Sequence, residues 1–203
     1  MRKESFVRWE RVVAALFVAI AASAGYAEEK PWSRAYRGEL YPIVQMLGGD
    51  TVTTFNGVRQ LETDDTPVFG AGMGLNLNDH LNINTEFLLG SMGSAQGPAH
   101  IPDSAEDLNV GVWLWNLNLD YNILKSRLTP LVTGGFGLFR VHEGSEHISE
   151  THWSYNVGAG GRWDITNSIA LRVIYRLTWT RFENTDDPFQ FDGVTANLIF
   201  MFK

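Results

Sequence analysis

A histidine and a serine stand two residues apart in this sequence, at His152 and Ser154. Such a pair could supply the general base and the nucleophile of a hydrolase. The residues around them alternate between polar and apolar, so a strand would place both side chains on its polar face. No third side chain that could orient the histidine is identifiable, and short motifs often match by chance. We therefore predict that the pair is not catalytic.

Five charged residues stand out in stretches that are otherwise rich in apolar residues: Glu86, Asp120, Arg162, Arg172 and Arg176. They could line a path for ions through the protein. Alternatively they could pair with one another inside it, because a buried charge without a partner is costly. The spacing does not say which of them touch.

Histidines and acids also cluster in polar segments of the chain. His and carboxylate ligands could together hold a divalent metal ion, and the candidates are His100, His142, Glu143, Glu146, His147, Glu150 and His152. From His142 onward the histidines are five residues apart, which matches no helical metal-binding motif, so we predict a solvated acidic loop without a metal.

Other polar segments contain further acids. These carboxylates could bind Ca²⁺ or Mg²⁺ weakly, and the ions could connect the segments to anionic lipid. These acids are Asp50, Glu62, Asp64, Asp65, Asp103, Glu106, Asp107, Glu183, Asp186 and Asp187. Simple solvation of the segments is the interpretation that we favour.

The elements that position these residues are β-strands, because hydrophobicity after Ala27 repeats every two residues. Several of the alternating stretches exceed the five or six residues usual for a strand. They suit a transmembrane barrel, whose tilted strands need about 9–11 residues. The pattern predicts strands at 39–47, 69–77, 81–89, 109–121, 128–141, 152–163, 169–182 and 194–202.

The connections between these strands alternate in length. Short ones fall at 78–80, 122–127 and 164–168, and long ones fall at 48–66, 91–107, 143–151 and 183–189. Short periplasmic turns that alternate with long extracellular loops are typical of outer-membrane barrels. We therefore predict an all-β fold, an eight-stranded antiparallel up-and-down transmembrane β-barrel.

The two faces of the predicted strands differ in content. The charged residues share one face, and nearly every tryptophan lies on the other. An eight-stranded barrel is just wide enough for side chains to fill, so we predict that the charges form a packed plug inside and that the aromatic face meets lipid. Two aromatic girdles follow: Phe69, Trp153, Trp179 and Phe182 near the loops, and Tyr121, Trp163 and Phe202 near the turns.

The start of the chain has the pattern of a signal peptide. A basic segment precedes thirteen apolar residues at 12–24, and Gly25-Tyr26-Ala27 resembles a cleavage site. We predict a signal peptide at 1–27, a periplasmic segment at 28–38 and the barrel at 39–203. Removing residues 1–27 takes four of the 16 Lys/Arg and two of the 23 Asp/Glu, which leaves 12 bases, 21 acids and a charge of −9.

Composition excludes several classes of function. The acidic balance argues against general nucleic-acid binding, which needs a basic surface. The absence of cysteine excludes disulfides, a thiol nucleophile and thiolate metal sites. No stretch of 28–203 is apolar for the 18 or more residues of a transmembrane helix.

Residues 39–203 resemble a known family of barrels. The resemblance rests on the alternating segments PVFGAGMGLNLN and YNVGAGGRWDI and on the final strand VTANLIFMFK. The chain resembles the small outer-membrane barrels typified by the transmembrane domain of outer membrane protein A and its shorter relatives. The resemblance implies recognition by the barrel-assembly machinery through a terminal aromatic residue. Phe200 and Phe202 match that feature, whereas Lys203 departs from it. No peptidoglycan-binding domain is expected after Phe202.

These observations lead to one functional hypothesis and two alternatives. We expect a non-enzymatic barrel of the bacterial outer membrane, without a cofactor, that contributes to envelope integrity or surface contacts and meets lipid and lipopolysaccharide. One alternative is a narrow channel for small solutes. The other is a hydrolase that modifies lipid A through His152 and Ser154, since some outer-membrane barrels that deacylate lipid A use such a pair.

Overall fold

The computed structural model describes residues 33–49, 60–61, 66–92, 95–96, 110–143, 149–180 and 189–203. Its long strands are β1 (Gly38–Gly49), β2 (Thr66–Asn76), β3 (Leu81–Met92), β4 (Val110–Asn122), β5 (Leu128–Glu143), β6 (Ser149–Asp164), β7 (Ile169–Thr180) and β8 (Phe189–Phe202). Each pairs antiparallel with its sequence neighbours, and β1 closes on β8. The predicted eight-stranded up-and-down barrel is confirmed.

Strand lengths differ from the sequence prediction mainly in two places: β8 begins at Phe189, five residues before the predicted start at Val194, and the hairpin of β5 and β6 is extended at its loop end. β5 and β6 each have 16 residues, and their pairing continues as far as His142↔Ser149. Part of the segment predicted as a loop at 143–151 is therefore strand. Periodicity misses this extension because a strand that rises beyond the membrane no longer needs an apolar face. A separate two-residue pair joins Gln60–Leu61 to Ala95–Gln96.

β1 is the strand in which proline interrupts the sequence pattern. Its pairing with β8 stops after Leu40↔Phe200 and resumes at Ile43↔Asn197, with the register kept. Pro42 has no N–H to donate to the ladder, which accounts for the gap. The pairing of β1 with β2 runs without a break through Pro42↔Ala71.

Successive side chains alternate between the barrel interior and its outer surface, as the pleat requires. On β7, Arg172 and Arg176 face inward and are almost fully buried. On the outside, Phe69 is 58% exposed and Trp153 is 60% exposed. The charged face thus turns inward and the aromatic face turns outward.

The three short turns lie at one end of the barrel, at residues 77–80, 123–127 and 165–168. β1 begins and β8 ends at this same end, which we call the turn end; the opposite end is the loop end. Residues 33–37 precede β1 and pack against the turns, where the Tyr36 N–H donates to the Asn76 carbonyl at 2.8 Å. No helix in the described part of the chain is long and apolar enough to cross a membrane.

Candidate functional site: the charged barrel interior

Glu86 is the centre of the ion pairs inside the barrel. It lies on β3, and its carboxylate meets two arginines from β7: Arg172 Nη2 is 3.0 Å from Oε1, and Arg176 Nη1 is 2.6 Å from Oε2. The two arginines are four residues apart on β7, so the pleat points both into the interior. All three side chains are almost completely buried. This cluster spans the interior between two strands that are not neighbours.

Arg172 has two further contacts that hold it in this cluster. Its Nη1 lies 2.5 Å from Asp120 Oδ2, and its guanidinium lies 4.6 Å from the centre of the Tyr41 ring. The Tyr41 ring fits against β2 because residue 72 is glycine; a Cβ there would come within 2.3 Å of the ring. Glu86, Asp120, Arg172 and Arg176 are therefore brought together as one cluster.

Arg162 belongs to a second cluster nearer the turn end. Its Nη2 is 2.7 Å from Glu39 Oε1, and its Nε is 3.0 Å from Asp164 Oδ1. Asp164 Oδ2 in turn accepts from Arg34 Nε at 2.8 Å. Glu39, Asp164 and Arg34 are site residues that the alternation of polar and apolar residues does not predict.

Arg34 closes the turn end of the barrel. It precedes β1, and its guanidinium also donates to the carbonyl oxygens of Asp79 at 2.8 Å and Ser126 at 2.5 Å. The chain reaches this position through a turn in which Tyr36 has a φ of 60°. Arg34 has no exposed surface. It therefore ties two turns and the end of β6 together at the mouth of the barrel.

Asp79 anchors the same segment from outside. Ser33 Oγ donates to Asp79 Oδ1 at 2.7 Å, and the Arg34 N–H donates to it at 2.9 Å. Burial by itself would raise the pKa of Asp79, but these hydrogen bonds favour the carboxylate and outweigh burial, so its pKa is lowered.

A chain of asparagines connects the two clusters along β2, β3 and β4. Each amide donates to the next amide oxygen: Asn118 to Asn84 at 3.2 Å, Asn84 to Asn82 at 3.1 Å and Asn82 to Asn76 at 3.2 Å. At its ends, Asn76 donates to Glu39 at 2.6 Å and Asn118 donates to Glu86 at 3.1 Å. The alternating asparagines of the NLN and NIN segments are the sequence signal for this row of hydrogen-bonded amides.

The charges of the two clusters balance one another. Among the described residues, four arginines are paired with four carboxylates in the two clusters: Arg34, Arg162, Arg172 and Arg176 with Glu39, Glu86, Asp120 and Asp164. Arg176 retains two buried nitrogens, Nε and Nη2, that have no hydrogen-bond partner in the described part of the chain. A neutral, cross-linked interior of this kind suits structural support better than attraction of a particular ion.

The interior changes character toward the loop end, where it becomes apolar. Val68, Leu88, Leu114, Phe139 and Phe191 are buried there at no more than 1% exposure. The Phe139 and Phe191 rings have their centres 5.5 Å apart. This apolar layer is not predicted from the sequence, because the interior of a membrane barrel is expected to be polar.

His152 and Ser154 face the interior near the loop end of β6. His152 is 8% exposed and Ser154 has no exposed surface. Ser154 Oγ has no hydrogen-bond partner among the described residues, so none of their side chains is placed to act as its base. The residues of a candidate lipid hydrolase are thus turned away from the lipid-facing surface.

The aromatic residues predicted as girdles face outward where the structure describes them. Near the turn end, Tyr121, Trp163 and Phe202 are 44%, 50% and 51% exposed. Near the loop end, Phe69 and Trp153 are exposed, and Trp179 Nε1 donates to Gln190 Oε1 at 3.1 Å. Phe182 lies outside the described residues.

Most of the acids and histidines proposed as weak cation ligands also lie outside the described residues, as do the side chains of His142, Glu143 and Glu150. The described residues contain no group of three His, Cys, Asp or Glu side chains that could hold a metal ion. The predicted signal peptide at 1–27 is likewise outside the described part of the chain.

Solved structures with the same architecture are membrane barrels. Neisserial surface protein A is 13% identical, with a TM-score of 0.57 over 82% of this chain and 97% of that one. Ail of Yersinia pestis, solved with the heparin analogue sucrose octasulfate, is 12% identical, with a TM-score of 0.55 over 83% of this chain and 99% of that one. OprG of Pseudomonas aeruginosa is 10% identical, with a TM-score of 0.54 over 86% and 99%.

At these identities the likeness shows the fold alone. None of the curated proteins matches the chain in sequence. A family model does match nearly all of it, over residues 12–202, and that model describes the outer membrane protein β-barrel domain. The chain belongs to this family of outer-membrane β-barrel domains.

Proposed function

We propose that this protein is a non-enzymatic barrel of the outer membrane with a closed interior, which contributes to envelope integrity. The observation that carries the proposal is the cross-linking of β3, β4 and β7 by Glu86, Asp120, Arg172 and Arg176. Because these ion pairs join strands on different sides of the barrel, they occupy the space that a channel would need.

Two further layers support a closed interior. A solute that entered from the loop end would meet the apolar layer around Phe139 and Phe191, which disfavours ions because they would lose hydration there. A solute that entered from the turn end would meet Arg34, which joins Asp164 to the turn carbonyls. A narrow channel would require all three layers to rearrange.

The burial of Ser154 also supports a non-enzymatic role. A nucleophile that attacks a lipid ester must reach the substrate, whereas Ser154 faces the barrel interior and has no exposed surface. Within the described part of the chain, its hydroxyl also lacks the hydrogen bond to a base that would activate it.

Liposome swelling tests the closed interior. The full chain is reconstituted in liposomes and exposed to small sugars and amino acids, with protein-free liposomes and a known porin as controls. We expect swelling at the rate of the protein-free liposomes. Swelling that depends on the amount of folded protein would favour the channel instead.

A deletion strain tests the envelope role. We expect loss of the gene to increase sensitivity to detergent, and we expect both the native protein and a Ser154→Ala variant to restore resistance. Unchanged sensitivity in the deletion strain would contradict the envelope role. Restoration by the native protein alone would point to chemistry at Ser154.

We also propose that the loop end faces lipopolysaccharide and that Phe200 and Phe202 serve in recognition by the assembly machinery. The support for these partners is the family, the outward position of Phe200 and Phe202, and the acids that the sequence assigns to the loops. Replacing both phenylalanines with alanine should lower the amount of folded protein in the membrane in vivo.

A further inference from the structure

Tyr36 occupies a turn position at which glycine is the usual residue. The Arg37 N–H donates to the Arg34 carbonyl at 3.2 Å, which closes a four-residue turn with Tyr36 as its third residue. Tyr36 has a φ of 60°, in the left-handed region, and it is the only non-glycine residue with a positive φ among the described residues. A positive φ at this position favours glycine or asparagine, because a Cβ makes the conformation unfavourable.

Hydrogen bonds of the backbone hold this conformation in place. The Tyr36 N–H donates to the Asn76 carbonyl at 2.8 Å, and the Asn76 N–H donates to the Arg37 carbonyl at 3.0 Å. Two residues before β1 thus oppose one residue at the end of β2, as in a β-bulge. Glycine would make the same hydrogen bonds without the steric cost. The turn therefore does not account for a tyrosine at this position.

The Tyr36 side chain points away from the barrel. It is 81% exposed, the highest exposure among the large hydrophobic side chains of the described residues. A ring that is so exposed adds little to the packing of the described part of the chain. A strained backbone that carries such a side chain points to a contact outside this chain.

The position of Tyr36 matches that of the aromatic residues at the turn end. The strands β2, β4, β6 and β8 all end there, and three of them have an outward aromatic at or next to their last residue: Tyr121, Trp163 and Phe202. β2 has Leu75 at the corresponding position. Because the Tyr36 backbone is bonded to Asn76, the last residue of β2, Tyr36 supplies the aromatic ring for this side of the barrel.

We propose that Tyr36 binds the lipid bilayer at the turn end, with its ring beside the glycerol and upper acyl carbons and its hydroxyl at the level of the headgroups. Tyrosine suits this place because its ring is apolar and its hydroxyl can hydrogen-bond to phosphate or water. The neighbouring outward side chains Leu75 and Leu77 are apolar and are 50% and 38% exposed, which favours lipid over a soluble partner. The proposal does not depend on whether the interior is closed.

The depth of position 36 in a bilayer tests the proposal. The chain has no cysteine, so a Tyr36→Cys variant of the full chain can carry a single nitroxide spin label. After refolding in phosphatidylcholine vesicles, power saturation compares collisions of the label with O₂, which concentrates among the acyl chains, and with a nickel chelate, which stays in water. Leu40→Cys, on the outward face of β1, is the acyl reference, and Asn167→Cys, in an exposed turn, is the aqueous reference.

We expect the label at position 36 to give values between those of the two references. Values equal to either reference would overturn the proposal, because the side chain would then lie in water or in the acyl region instead of at the interface. A label that is shielded from both reagents would also overturn it, since protein would then cover this position.

Replacing the ring tests whether its contact with lipid is favourable. Urea unfolding in the same vesicles compares the native protein with Tyr36→Gly and Tyr36→Phe. If the ring made no contact, Tyr36→Gly would raise the equilibrium constant for folding, because glycine relieves the strain. We expect a decrease of at least about fivefold instead, since part of an aromatic ring leaves the lipid. Tyr36→Phe keeps the ring and should stay within about twofold of the native value.

The same variants in an amphipathic polymer, which offers no bilayer interface, separate lipid contact from packing on the protein. There Tyr36→Gly should be at least as stable as the native protein. An equal loss in polymer and in vesicles would show that the ring packs on the protein and would overturn the proposal. A Tyr36→Gly variant that is as stable as the native protein in vesicles would also overturn it.

Discussion

Arg34 and Asp164 are 130 residues apart in the sequence, yet Arg34 Nε lies 2.8 Å from Asp164 Oδ2, and neither side chain is exposed. One residue precedes the first strand, and the other ends β6. Their pairing makes the segment before the barrel part of its closed end. Asp164 is shared with Arg162, so this contact also connects the segment to the ion pairs inside the barrel.

Replacing Arg34 with alanine should destabilise the barrel by about 3–5 kcal/mol, because Asp164 would lose a buried partner. Urea unfolding in detergent micelles measures the change. Arg37→Ala is the matched control, since Arg37 lies three residues away on the surface; its effect should stay within about 1 kcal/mol. Equal effects of the two variants would show that Arg34 is not a structural anchor.

Replacing Glu86 with glutamine should cost a similar amount, about 3–5 kcal/mol, because Arg172 and Arg176 would face a neutral side chain in a buried site. The same unfolding measurement applies. The double variant Glu86→Gln/Arg176→Met should recover part of the loss, since it also removes one of the two cations left behind. If the two changes were simply additive, the Glu86–Arg176 contact at 2.6 Å would not be energetically coupled.

The lowered pKa of Asp79 makes the stability of the folded protein depend on pH at the turn end. Its pKa is lowered in the folded protein by hydrogen bonds from Ser33 and the Arg34 N–H, which more than offset the effect of burial. Its contribution to stability is therefore fully present above the unfolded pKa of about 3.9 and is lost as pH falls through the lower folded value. Between pH 6 and pH 2.5, the native protein should lose more stability than Asp79→Asn does. Equal losses would contradict this role.

The inward face of the strands could be predicted from the sequence because the period of two assigns every residue of a strand to one face. The same period predicts that Arg172 and Arg176 lie together on one face of β7. It does not predict which residues they contact, because the Glu86 contact depends on how β3 and β7 lie across the closed barrel. The inward orientation of the Arg34 side chain is not predicted for another reason. Arg34 precedes β1, and no periodicity there indicates which way a side chain points.

Glu39 and the apolar layer show two further limits of the pattern. Glu39 lies at the start of β1, where Pro42 obscures the alternation, so its inward position was not identified. Phe139 and Phe191 are apolar residues on the inward face, whereas in the sequence it is charge that indicates which face points inward. An apolar inner layer contains no charged residues that would mark its face as the inward one. It is recognised only from the register of neighbouring strands.

Replacing Ser154 with alanine should leave stability unchanged or raise it by up to about 1 kcal/mol, because the buried hydroxyl has no hydrogen-bond partner among the described residues. Lipid A extracted from cells that produce the variant should have the same mass profile as lipid A from cells that produce the native protein. A profile that gains an acyl chain in the variant would show that Ser154 acts as a nucleophile.

Single-channel recording in planar lipid bilayers tests the central claim, the closed interior, most directly. The full chain is refolded, inserted and recorded in 1 M KCl, with insertion verified by protease protection of the reconstituted barrel. The ion pairs around Glu86, the apolar layer and Arg34 predict a current indistinguishable from that of the bare bilayer. Discrete, reproducible conductance steps from the native protein would contradict the account.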